Sequence, residues 1–397
     1  MMNNIYKLYV IKIAKWFMLT MPIIVLFYHE NGLEMKDVLL LQSIYSLAIV
    51  ALEIPSGYFA DVWGRKNTII IGSFMGVFGF CIYAISFDFW GFLIAEILLG
   101  FGQSFISGAD SALLYDTLHD HNKTDKYVKY EGKIISIGNF AEAVAGIIGG
   151  FLATYSLRTP FYFQIGVAAL AVPASFLLSE PKVTKKAIPS FRNIIGIVKL
   201  SLHDDKKLKW NIIFSSIIGS ATLTMAWFVQ PYFKALNLPI FWYGILWTGL
   251  NLLVGISSLV AHKIILKINQ IQTITAIVIL ISSLYIALSQ FIFLWSIPFL
   301  FVFYFVRGVA TPVLKGYINQ ITESEIRATV LSIRNFSIRI IFSVTAPFIG
   351  YINDLYSISI ALLCSGIMFL VFGLFSIIFY QKAYINLSLK GLKTSTK

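Results

Sequence analysis

Apolar residues run through this chain in long blocks, and charged residues gather in the short gaps between them. Each block is about as long as a helix must be to cross a bilayer, roughly 20 residues. The pattern predicts helices near 6–28, 37–61, 67–87, 89–117, 130–155 and 159–180. A second set follows near 209–234, 240–266, 271–291, 293–317, 327–352 and 356–381. This is the pattern of an all-α membrane protein with twelve transmembrane helices in two six-helix bundles. The first bundle spans 1–180, a polar linker 181–208, the second bundle 209–382 and a tail 383–397. The first block is too long for the apolar core of a cleavable signal and lacks a small-residue cleavage pattern, so it reads as a span.

Composition narrows the class. Of the 397 residues, 58% are hydrophobic and 13% charged, against about a quarter charged in a soluble domain. Mean hydropathy is +0.79. Lys7, Arg65, Lys66, Lys123, Lys126, Lys129, Lys263, Lys267, the basic cluster in 181–208 and the tail lysines all fall on one side of the predicted spans. Only Lys36, Arg158 and Lys234 fall on the other. The lysine-rich side is expected inside, which places both termini in the cytoplasm and the chain in the cell membrane (inner or plasma) as a multi-pass protein. The net charge of +12 is thus scattered over loops with no groove-reading module, and no nucleic-acid partner is expected. Cys81 and Cys364 lie in different apolar blocks and predict neither a disulfide nor a metal site. Neither a phosphate loop ending in Gly-Lys-Ser/Thr nor a His-Glu-x-x-His pattern occurs, so ATP-driven and enzymatic chemistry have no foothold.

The turn between the second and third blocks reads Gly-Tyr-Phe-Ala-Asp-Val-Trp-Gly-Arg-Lys over residues 57–66. Gly57 and Gly64 allow close helix approach and positive φ, while Asp61, Arg65 and Lys66 carry charges able to tie helix ends together. The stretch resembles the signature loop of the major facilitator superfamily, G-x-x-x-D-x-x-G-R-R/K, with every signature position filled. The resemblance implies two pseudo-symmetric halves with substrate bound between them near the midplane. It also implies a cytoplasmic gating latch. Asp61 would face the N-terminus of the eleventh helix near Arg327, where free amides and the helix dipole attract a carboxylate. Arg65 would reach Asp116 at the inner end of the fourth helix. The loop Ala261–Lys267, where a second copy would fall, keeps cations but lacks the aspartate and both glycines.

Charges inside spans are costly and mark function by default. The first half carries Glu53, Glu96, Asp110 and Glu142 within helices. From Lys206 to Thr322 there is no acid, and the deep charges of the second half are Arg307, Lys315, Arg334 and Arg339. Acids in one half and bases in the other predict pairing across a central cleft. Glu96, Gly100, Gln103, Ser107 and Asp110 fall on one face of the fourth helix, a polar stripe roughly 21 Å long that cannot face lipid. The resemblance assigns that helix to the cavity wall, and Arg307, Thr311 and Lys315 form a shorter face on the tenth. Trp16, Trp227 and Tyr232 are further substrate-contact candidates. Glu53 and Arg334 fall at similar depth on the second and eleventh helices and are expected to pair.

A proton-coupled antiporter needs a buried carboxylate that loads and unloads protons, and Glu96, Asp110 and Glu142 qualify. Ala145-Gly146-Ile147-Ile148-Gly149-Gly150 resembles the antiporter motif G-P-x-x-G-G of the fifth helix, with the final glycines present and the proline replaced by Gly146. The arginine usual early in the fourth helix of drug antiporters is absent, and Glu96 stands in that region. The sequence is therefore read as a secondary active transporter, most like the drug-proton antiporter branch. It would work by alternating access to export small, drug-like molecules, as a monomer, with no cofactor or metal beyond the proton gradient. Proton-coupled uptake of an anionic metabolite and a non-transporting receptor or assembly factor on the same fold are the alternatives.

Overall fold

The computed structural model describes residues 2–180, 191–265, 269–323 and 326–394. Among them the chain is helical, and contacts gather it into two compact units. One comprises 1–188 with 237–249, the other 189–236 with 250–397. In the first unit α1 (Met2–Trp16), α2 (Ile24–Glu30), α3 (Met35–Val62), α4 (Arg65–Ile85) and α5 (Phe89–His119) are followed by α6 (Tyr127–Ala153), α7 (Thr159–Ala169) and α8 (Ala171–Phe176). The second unit begins with α9 (Phe191–Lys199), then α10 (Lys206–Ala235). After α11 (Ile240–Ile265), whose first turns group with the first unit, come α12 (Gln270–Gln290), α13 (Ile297–Gln320), α14 (Arg327–Leu355) and α15 (Ile358–Thr394).

Local chemistry sets several boundaries. Asp88 accepts from Gly91 N at the start of α5, and Asp205 from Lys207 N and Leu208 N at the start of α10. Glu34 and Asp37 form a reciprocal capping box on α3. Each satisfies amides that the first turn of a helix leaves open. Leu8, Ile11, Ala109, Leu113, Leu118 and Ile134 anchor one core of the first unit. Leu208, Ile212, Ile318, Val330 and Ile333 anchor one in the second.

Eleven helical stretches among the described residues are long and apolar enough to cross a membrane. The span expected over 6–28 is instead divided into α1 and α2. Pro22 lies in the gap, and non-helical backbone at such depth persists only where protein covers it. Here Gln164 of α7 supplies Oε1 to the amide of Leu19 at 2.8 Å. Gly149 of α6 supplies space, since a Cβ there would lie 2.0 Å from Leu19 O. The linker expected over 181–208 is partly helical, because α9 and a π turn over Leu200–Asp204 occupy its second half. Residues 181–190 lie outside the described residues. α15 continues past residue 381 to Thr394.

Candidate functional site

The α3–α4 turn is bonded from both sides. Gly64 adopts φ +95°, a backbone conformation that glycine accepts at least cost. Its neighbours Arg65 and Lys66 donate their amides to the two carboxylate oxygens of Glu180, each at 2.8 Å. A Cβ on Gly64 would sit 3.2 Å from that carboxylate, so the residue is needed for space as well as for φ. Glu180 thus caps α4 with a full negative charge where the helix dipole is positive. The Arg65 guanidinium forms an ion pair with Asp116 of α5, the partner expected for it. Asn4 ties the start of α1 to the same end through Thr117 Oγ1 at 3.1 Å and Ser179 O at 2.9 Å. The side chain of Asp61 lies outside the described residues, and Gly57 has open space around it.

Along α5 the stripe divides into different environments. Glu96 is 3% exposed and sealed inside the unit. Its Oε1 accepts from Tyr28 Oη of α2 at 2.8 Å, Tyr83 Oη of α4 at 2.6 Å and Gln42 Nε2 of α3. The rings of Tyr28, Tyr83 and Phe92 pack around it, with centroids 5.3 to 6.2 Å apart. Gly100 lets α3 approach, since a Cβ would meet Ala48 Cβ at 2.9 Å, and Ser104 bonds Ser56 at 3.1 Å. These positions are a helix seam, so the expectation of a single cavity-lining stripe is corrected for its Glu96 end. Gln103 and Asp110 are half-buried and Ser107 is exposed.

Asp110 lines a crevice with Lys12 and Lys15 of α1, Ser111 of α5 and Glu131 of α6. Ser111 N donates to Asp110 Oδ1 and Ser111 Oγ to Glu131 Oε1, both at 2.7 Å. The expected division of acids in one half and bases in the other therefore fails within the first unit, where two lysines from the first apolar block face two carboxylates. Lys12 also stands over the Trp16 ring at 5.0 Å.

On α6, Glu142 is half-buried. The Gly-Gly pair makes close contacts on two sides. Gly149 abuts the Leu19 backbone, and a Cβ on Gly150 would lie 2.8 Å from Gly244 Cα. Thr248 Oγ1 bonds Ala143 O at 2.9 Å beside Gly146.

At the opposite end of α4, Arg158 donates to Ala84 O at 2.9 Å, Ser86 O at 2.8 Å and Asn31 Oδ1 at 2.7 Å. Its guanidinium covers Phe87 at 4.0 Å and Phe27 at 4.8 Å. Burial there lowers its pKa from the usual arginine value.

In the second unit Arg334 is buried and donates to Ser215 Oγ of α10. Lys315 lies close enough to feel its charge, which gives this unit a basic interior. Arg307 stacks over Tyr304 at 5.2 Å. Trp227 is buried, and Tyr232 is engaged structurally, with its hydroxyl on Phe291 O at 2.7 Å and Ser296 Oγ at 2.6 Å.

Sequence reasoning missed Glu180, Lys15, Glu131, Tyr28, Tyr83 and Gln42. Glu180 was visible as the last charge before Pro181, and Lys15 as a cation inside an apolar block. The tyrosines and Gln42 gave no signal, since each looks like ordinary helix filling. A family model described as Major Facilitator Superfamily matches residues 9–341. The chain belongs to the Major Facilitator Superfamily.

Relatives of this superfamily member include the quinolone resistance protein NorA of Staphylococcus aureus, 24% identical over 208 residues. That match spans 52% of this chain and 50% of the relative, about half the length of each. An MFS-type transporter of Methanocaldococcus jannaschii is 22% identical over 362 residues, 89% of this chain and 92% of the relative. Among solved structures, the nucleoside transporter NupG superposes with a TM-score of 0.79 at 13% identity, over 96% of this chain and 98% of the other. A peptide transporter POT in complex with sulfate gives 0.75 at 13%, over 96% and 95%. At such identities these structures share the fold alone. The chain thus shares its family and its fold with membrane transporters.

Proposed function

We propose that this transporter exports small, drug-like molecules by alternating access, driven by protons. The observation that carries alternating access is the bonded α3–α4 turn. Its ion pair and carboxylate cap join helix ends through a few charge-assisted hydrogen bonds, strong enough to hold one state and few enough to break. The turn faces the cytoplasm in this reading, with both termini on the same side. The two bundles rock about a central substrate site. In this reading Asp61, Glu53 and Arg334 are the residues assigned to stabilising the closed state. The partial likeness to a quinolone resistance protein supports a drug-like substrate, and the carboxylates of the first unit support proton coupling. The test is flux in proteoliposomes holding the full chain under an imposed pH gradient, with ethidium and norfloxacin as probes. Uphill movement of either probe against protons is expected.

A second reading, uptake of an anionic metabolite, is favoured by the basic interior around Lys315 and Arg334. Accumulation of a dicarboxylate with no movement of either drug probe would replace the first reading with this one.

A further inference from the structure

Of the three acids on which proton coupling could rest, Glu96 has the surroundings of a structural group. Three neutral donors on three other helices converge on one of its oxygens, inside a shell of aromatic rings. Asp110 has the reverse. It lines a crevice of about the size of one water, whose wall comes from α1, α5 and α6. The charged groups facing it are Lys12 and Lys15 from α1 and Glu131 from α6, and Tyr127 of α6 is close enough to feel both acids. Lys15 and Asp110 interact through their charges. Even so, neither Lys15 nor Asp110 takes part in the direct ion pairs Lys36–Glu34, Arg65–Asp116 and His203–Asp204. Leu8, Ile11, Ile106 and Ile134 complete the wall, so the opposite charges share a mostly apolar gap of about one water's size.

We propose that this crevice is the proton-exchange site of the transporter, with Asp110 as the group that takes up the proton and Lys15 as its counter-charge. The inference rests on the proton-coupled export proposed above and names its residues. With Lys15 near, the charge of the carboxylate is compensated. With Lys15 withdrawn, a lone carboxylate at membrane depth is the costly state, and it relaxes by binding a proton. The step balances simply: carboxylate plus one proton gives carboxyl, and Lys15 keeps its ammonium and is left to Glu131 and water. The fold supplies the means of withdrawal, because α1 ends at Trp16 and is separated from α2 by the break at 17–23. Asn4 holds the start of α1 to Thr117 of α5, so the movement open to Lys15 is a pivot of the Trp16 end, which no helix joins to α2 and the Glu96 cluster. Ser111 bonds both acids, its amide to Asp110 and its hydroxyl to Glu131.

The test uses the full chain in lipid and reads protons directly, by infrared difference spectra during a pH titration. A carboxyl band should appear on acidification, be missing in Asp110→Asn and remain in Asp110→Glu, which also reports that the site still folds. In Lys15→Gln its midpoint should move to higher pH by about one unit or more, the sign expected when a nearby cation is removed. In transport, Asp110→Asn should lose the accumulation of ethidium driven by the pH gradient. Persistence of the band in Asp110→Asn, or an unmoved midpoint in Lys15→Gln, overturns the assignment. Wild-type protein that shows the band and its Lys15 dependence yet no pH-driven flux overturns the export reading and leaves the proton site standing.

Discussion

Glu96 and Asp110 occupy the same face of α5, one toward each end of its polar stripe. At Glu96, α2, α3 and α4 each send a hydroxyl or amide to the carboxylate, and Gly100 draws α3 in to seal the seam. At Asp110, the neighbouring helices bring ammonium groups and another acid and leave a gap. A buried charge met by neutral donors is a fastener. A charge met by opposite charges across a gap can change state. Position on a helical stripe sets direction only, and the neighbouring helices decide which of these a carboxylate becomes.

The comparison breaks most visibly in stability. Glu96→Ala strands two tyrosine hydroxyls and an amide in the core, and a loss of about 3–5 kcal/mol is expected. Thermal unfolding of the purified protein should show it, with Asp110→Ala shifting the transition far less. Equal losses at the two sites would erase the distinction. Next in size is the helix break that separates the two regions. Gly149→Ala forces a Cβ into the Leu19 backbone and should cost about 1–3 kcal/mol. Gln164→Leu, which removes the acceptor for the Leu19 amide, should cost a similar ~1–3 kcal/mol. Were both silent in unfolding experiments, the break could not isolate α1 from α2.

Smaller effects test the α3–α4 turn as a third kind of carboxylate setting. Glu180→Ala removes a cap and a dipole partner together, and about 1–2 kcal/mol is expected. Gly64→Ala adds backbone strain of about 1–2 kcal/mol. A larger loss for the alanine at 64 in Glu180-containing protein than in Glu180→Ala protein would show that space at Glu180 matters besides φ. The Arg65 and Asp116 side chains are 21% and 11% exposed, between a surface pair and a buried one. A double-mutant cycle with Arg65→Gln and Asp116→Asn should give a coupling of about 0.5–1 kcal/mol, weakening with salt. Salt-independent coupling would place the pair with the buried fasteners such as Glu96.

Much of this arrangement could be read along the chain. The spans from α3 onward follow from apolar length, and the Arg65–Asp116 pair follows from a filled signature and an acid at the end of the fourth span. Less legible was the first span, because Pro22 alone does not announce that Gln164 and Gly149 will support a broken helix. The Glu96 cluster was illegible for a related reason: its members come from four helices, and none carries a sequence mark. The half-matching glycine motif of α6 was visible, but not the Leu19 backbone and Gly244 on its two sides.

The sequence by itself determined the solvent of this protein, its helices, its superfamily and the turn at Gly57–Lys66. Those depend on the length of apolar blocks and on residues adjacent in the chain. Only the tertiary structure decided which charges are fixed and which face a gap, and that Glu180 completes the turn. A carboxylate takes its character from the few donors and cations within hydrogen-bond reach, and in a helical bundle those come from other helices.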